Sequence, residues 1–134
     1  MNEGTGIVRE LRLVVTAEDF DEAVTFYRDV LGLPELAEFQ SGDDGRVVIL
    51  GAGKATIELG NPAHAAWVDE VEVGRRVAGH IRVALAVDDP AALTAQLSEA
   101  GATVLAEPVR TPWGSLNSRL EAPAGLQLTL FDDE

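Results

Sequence analysis

No cysteine occurs among the 134 residues, so the chain forms no disulfide, offers no thiolate nucleophile and builds no zinc–thiolate site. Basic residues are scarce. Ten Lys and Arg stand against 23 Asp and Glu, giving a formal net charge of −13 and a pI of about 4.4. That balance disfavours nucleic acid as a partner, because phosphate contacts need a basic face, and it favours solubility and attraction of cations. No apolar run approaches the roughly 20 residues a bilayer span needs, and the opening MNEGTGIVRE lacks the basic-then-apolar order of a signal peptide. No membrane partner is expected, and the expected location is cytoplasmic. Histidine is limited to His64 and His80.

What is present is apolar content of 46%, enough for a core, arranged in a pattern that occurs twice. Leu11, Leu13 and Val15 alternate with Arg12, Val14 and Thr16, the period of a strand with one face on a core, so Arg12 points to the other face. Asp19 then offers an N-cap with Glu22 three residues on, and Phe20, Ala23, Val24, Tyr27, Val30 and Leu31 recur at helical spacing until Gly32 and Pro34. ELAEF and RVVIL, joined by SGDDG, and then ATIEL supply three strands. From residue 80 the order restarts. Ile81, Val83, Leu85 and Val87 alternate with Arg82, Ala84 and Ala86, Asp89 and Pro90 open a helix carrying Leu93 and Leu97, and Gly101 closes it. TVLAEPV, SLNSRLEA and LQLTLF follow, with TPWG and APAG as turns. Arg12 and Arg82 are 70 positions apart, Gly32 and Gly101 69, and Glu58 and Thr129 71, three agreeing offsets that indicate an internal duplication. The expected architecture is α+β, one domain over 1–134 built of two tandem β-α-β-β-β modules, 7–61 and 80–131. Residues 62–79 join them with no clean period, although Trp67, Val71 and Val73 show that part of this stretch packs.

Over nearly its whole length the chain resembles the vicinal oxygen chelate superfamily, which contains glyoxalase I, extradiol dioxygenases, methylmalonyl-CoA epimerase, and the fosfomycin- and bleomycin-resistance proteins. FDEAVTFYRDVLGLPEL, TIEL, the VDD before the second helix and APAGLQLTLF carry the resemblance. It implies paired modules forming an open eight-stranded cup, commonly assembled as a homodimer. In metal-dependent members a His or Gln stands in the first strand of each module and a Glu in the last strand of one or both. Those positions hold Arg12, Glu58, Arg82 and Thr129 here. Only Glu58 is a metal donor, since a guanidinium has no lone pair to give. No metal and no cofactor are therefore expected. The competing expectation is a glyoxalase-type lyase, an isomerase or a dioxygenase that recruits a divalent ion through Glu58 and His80, or acts without one.

On the metal-independent reading, Glu58 between Arg12 and Arg82 makes a charge cluster with one surplus positive charge, which either satisfies itself or orients the acceptor group of a ligand. Trp113, in RTPWGS, is a candidate to stack on a flat ligand at the cup's mouth. The expected ligand-binding set is Arg12, Glu58, Arg82, Thr129, Trp113 and His80. Arg110 and Arg119 are assigned to the solvated surface, and Ser115, Ser118, Thr111 and Thr129 lack the His and acid of a nucleophilic triad. GAG at 51–53 and GTG at 4–6 read as turns, not phosphate loops. The function expected is sequestration of a small organic molecule, by analogy with acidic dimers of the bleomycin-resistance type. The overall charge attracts cations from a distance, but with screening over about 8 Å at physiological salt the two arginines are expected to set the pose.

Overall fold

The computed structural model describes residues 7–132; the GTG at 4–6 lies outside the described residues. The elements are β1 (Val8–Thr16), α1 (Phe20–Val24) continued by a π-helical stretch (Thr25–Val30), β2 (Glu35–Ser41), β3 (Gly45–Ala52) and β4 (Ala55–Gly60). Then follow α2 (Pro62–Glu72), β5 (Ile81–Val87), α3 (Pro90–Glu99), β6 (Thr103–Arg110), β7 (Leu116–Ala122) and β8 (Leu126–Asp132). They form one eight-stranded sheet in the order β2-β3-β4-β1-β5-β8-β7-β6, the α+β arrangement of two repeated modules. The modules join along β1 and β5, which pair antiparallel with Val14 opposite Arg82 and Arg12 opposite Ala84. On the outer sides β1 runs parallel to β4 and β5 parallel to β8, placing Glu58 beside Val14 and Thr129 beside Ala84. Among the described residues no helix is long and apolar enough to cross a membrane.

Alternation in the strands divides the sheet into two faces. The odd residues of β1 and β5 turn toward α1 and α3. Phe20, Val24, Val48, Leu50 and Leu59 form one core under α1, and Val87, Leu93, Leu120 and Leu130 form its counterpart under α3. Both helices start at an aspartate: Asp19 accepts from the Glu22 amide at 3.1 Å, and Asp89 from the Ala92 amide at 3.0 Å. The helical spacing read through Val30 and Leu31 is not realised. After Val24 the backbone rewinds to i→i+5 bonding, with the Leu31 amide donating to the Phe26 carbonyl at 2.9 Å, and Val30 and Leu31 stay exposed.

The even residues line the concave face, where Val14, Ala84, Ala86 and Phe131 make a small apolar seam. Lying on this face is an element that periodicity did not disclose. Residues 62–72 of the joining segment form α2, opened by Asn61, whose side chain accepts from the His64 amide at 2.9 Å, with Pro62 in the first turn. Its buried residues are His64, Val68, Asp69 and Glu72. Three of those four are polar, so no apolar stripe marks the helix in the sequence.

Candidate functional site

Arg12, Glu58, Arg82 and Thr129 all lie on the concave face, but they fall into two groups. In the second module Arg82 is buried and donates from Nη1 to Thr129 Oγ1 at 2.7 Å. Beside it Arg119 is fully buried, which corrects its assignment to the solvated surface. Arg119 donates from Nη1 to Asp69 Oδ1 and Gln127 Oε1, both at 2.8 Å, and from Nη2 to Glu72 Oε1 at 2.8 Å. Asn117 donates to the other oxygen of Glu72 at 2.8 Å. The remaining oxygen of Asp69 accepts from the amides of Val77 at 2.9 Å and Ala78 at 3.0 Å and from Arg76 at 2.9 Å. Thus α2 and the chain that follows it lay two carboxylates over the second module's half of the cup, and every polar group there is engaged. Among the described residues no buried side-chain nitrogen or oxygen is without a partner.

The first module's half differs at the equivalent strand positions. Opposite Glu58, β3 carries Ile49 where β7 carries Arg119 opposite Thr129. What remains is an open groove of about 600 Å³ walled by Pro34, Leu36, Ala37 and Ile49, with Lys54 at its rim. Gly51 lines it too, and a Cβ there would meet Pro34 and Leu36 at 3.5 and 3.6 Å, ordinary contact distances. Glu10, Arg12 and Thr56 supply the polar lining. Arg12 donates from Nε to Thr56 Oγ1 at 3.0 Å and from Nη2 to Glu10 Oε2 at 3.1 Å, while its Nη1 lies 3.6 Å from Glu58 Oε1. Thr56 in turn donates to Glu10 Oε2 at 2.8 Å. The expected surplus positive charge is not realised. Arg12, Arg82 and Arg119, with Arg76 at the rim, face Glu10, Glu58, Asp69 and Glu72, so the cluster is balanced.

Glu58 connects the halves. Its Oε2 stands 3.6 Å from His64 Nε2, and His64 Nδ1 is 2.7 Å from Ser41 Oγ. His64 reaches this position because β4 ends in glycine: a Cβ on Gly60 would come within 2.8 Å of the imidazole. Burial pushes the Glu58 carboxyl up, but His64, Arg82 and Arg12 together hold it below the ordinary carboxylate value. Burial likewise opposes Asp69, which the Ala78 and Val77 amides and Arg119 nevertheless hold low. Arg82 is pushed down by burial and by Arg119, against Glu72, Glu58 and Asp69, and it remains a cation. Between His64 and Arg82 there is a cavity of only about 10 Å³, the space of about one water.

The lowered Glu58 and Asp69 carboxyls carry a pH signature. A carboxyl with a folded-state pKa below its unfolded value contributes stability above the unfolded value, and that stability is lost as pH falls through the folded one. The urea midpoint should hold between pH 7 and 5 and fall below about pH 4. Asp69→Asn should flatten that fall; a midpoint that rises on acidification would contradict the assignment.

Two expected site residues are elsewhere. His80 is exposed, its carbonyl accepting from the Thr16 amide at 2.9 Å, and His64 is the imidazole beside Glu58. Trp113 is about half exposed and packs on Trp67 of α2, ring centroids 5.4 Å apart, and it does not line the groove. Arg110 is exposed, as assigned, and caps its own turn through the Gly114 carbonyl at 3.1 Å.

The pattern of the Glyoxalase/Bleomycin resistance protein/Dioxygenase superfamily matches residues 11–130. The chain belongs to this superfamily. No curated protein sequence matches it. Among solved structures, methylmalonyl-CoA epimerase from Mycobacterium tuberculosis is similar at 22% identity and a TM-score of 0.72, covering 99% of this chain and 93% of that one. Streptomyces coelicolor methylmalonyl-CoA epimerase in complex with 2-nitronate-propionyl-CoA shares 21% identity over 96% of each chain, with a TM-score of 0.70. A superfamily member from Vibrio splendidus 12B01 shares 14% identity, covering 92% and 98%, with a TM-score of 0.64. At these identities the likeness is one of fold. The superfamily's metal positions do not fit a divalent ion in this member. Two are guanidiniums and one is a buried threonine hydroxyl held by Arg82. The described residues contain no group of three His, Asp or Glu side chains placed to hold a metal.

Proposed function

We propose that this superfamily member is a metal-independent binding protein that takes one small amphipathic organic molecule per chain into the first module's groove. The observation that carries this reading is the groove that α2 leaves open: the helix seats Trp67 and His64 at the β2–β3 turn and the end of β4 and sends its carboxylates to the second module, while the opposite end of β2, β3 and β4 keeps an apolar wall and fixed polar groups. A few placed polar groups in an otherwise apolar concavity are what a small-molecule site requires. Arg82 and Thr129 bond each other in the second module's half, and Arg12 lies at the groove itself. The exposed Phe26, Val30, Leu31 and Phe39 are consistent with the homodimer that the family resemblance implies. A metal-dependent lyase, isomerase or dioxygenase needs a ligand set that the described residues do not supply.

Native mass spectrometry together with elemental analysis of the purified protein tests the proposal. The expected result is a small organic adduct at one per chain, with zinc, nickel, iron and manganese each well below one per chain. One divalent ion per chain that is lost in Glu58→Gln would overturn it and favour the enzyme reading.

A further inference from the structure

Glu10 holds the groove's most specific polar feature. Its Oε2 accepts twice, from Arg12 Nη2 at 3.1 Å and from Thr56 Oγ1 at 2.8 Å, which fixes the carboxylate in one orientation. Its Oε1 takes part in none of these bonds, and the side chain remains one-third exposed on the groove. The cations nearby do not compete on equal terms. Arg12 is committed to Thr56 and Glu10, faces Glu58 at 3.6 Å, and lies 5.5 Å from the centroid of the Phe131 ring. Lys54 stands exposed on the β3–β4 turn at the end of a flexible stem. An acceptor already held in place binds a donor without a further ordering cost, whereas a free lysine must first be ordered.

We infer that Glu10 is the specificity residue of this groove and that the ligand it selects carries a nitrogen cation, a protonated amine, amidine or guanidine, on an apolar body. This rests on the groove being the binding site, as proposed above, and adds the chemical class of its occupant. Oε1 receives the N–H of the cation, Thr56 and Arg12 keep the carboxylate aimed, and Pro34, Leu36 and Ile49 cover the apolar body. The net charge of −13 acts in the same direction, raising the local concentration of cations around the chain. The long-range field and the near group therefore agree, which they do not when the arginines are taken as the recognition groups.

Three probes of nearly equal size and shape separate the possibilities: benzamidine, a cation with two N–H donors; benzamide, neutral; and benzoate, an anion. Dissociation constants from calorimetry with the wild-type protein are expected to place benzamidine tightest, by at least tenfold over benzoate. Glu10→Gln should weaken benzamidine at least tenfold and leave benzoate unweakened, with a melting temperature near wild type. If Glu10→Gln does not fold, the order of the three probes on the wild type still decides. Benzoate binding as tightly as benzamidine overturns the inference, as does a folded Glu10→Gln with full benzamidine affinity. Benzamidine binding that survives Gly51→Leu belongs to the acidic surface and also overturns it. If the probes enter the groove without preferring the cation, only the ligand class fails. If none enters, the groove reading fails with it.

Discussion

Arg119→Met is expected to be the most damaging single substitution in the protein, costing about 3–5 kcal/mol in denaturant unfolding, because removing one partner of a buried ion group leaves uncompensated charge. Arg119 is fully buried and is the shared partner of Asp69 and Glu72, both buried themselves. After the substitution Glu72 keeps only Asn117, while Asp69 keeps Arg76 and the amides of Val77 and Ala78. Adding Glu72→Met should therefore recover part of the loss, since exchanging a whole buried ion group for apolar side chains is often neutral or better. A single variant within about 0.5 kcal/mol of wild type, as for a surface residue, would show that α2 does not close this half of the cup. The same reasoning redraws the central cluster. Replacing Arg12, Glu58 and Arg82 together by methionine is not a balanced exchange, because Glu10 loses Arg12 and the α2 carboxylates lose the charge of Arg82.

Gly51→Leu is expected to weaken ligand binding strongly while leaving the fold intact. The Cβ direction at Gly51 leads into the groove, with Pro34 and Leu36 at ordinary contact distance, and the backbone is not in the left-handed region. A strand glycine contributes little to stability by itself, so the exchange should leave stability within about 0.5–1 kcal/mol of wild type or raise it. A ligand forced against the new side chain loses about 1–3 kcal/mol, roughly 5- to 150-fold in Kd. Gly51→Ala should retain most of the affinity. Equal binding by Gly51→Leu and wild type would move the ligand site out of the groove.

Much of this architecture was legible before any coordinates. Period-2 alternation placed Arg12 and Arg82 on the face away from α1 and α3, Asp19 and Asp89 marked the starts of those helices, and the near-constant offset of 70 paired the modules. Helix α2 escaped because periodicity detects apolar faces, and this helix buries His64, Asp69 and Glu72. Its partner was more accessible. The alternation Asn117, Arg119 against Ser118, Leu120 already sets Arg119 on the cup face beside Thr129, and only the habit of assigning arginine to solvent concealed it. Glu10 was legible in the same way, two residues before Arg12 on the same strand face, yet its role depends on Thr56, which is 46 residues away and reaches it through the β1–β4 pairing. Trp113 stands in a loop as read, but its packing partner is Trp67 of the unforeseen helix.

The central claim is that one half of the cup is sealed by its own carboxylates and the other half is the binding site. Backbone amide chemical shifts recorded during titration with benzamidine, benzamide and benzoate test it most directly. The account predicts saturable shifts at Leu36, Ile49, Gly51, Ala55 and Thr56, with Asn117, Arg119 and Gln127 unmoved and no requirement for added metal. Shifts centred on Arg119, Gln127 and α2, or shifts at Glu58 that appear only when a divalent ion is added, would contradict it.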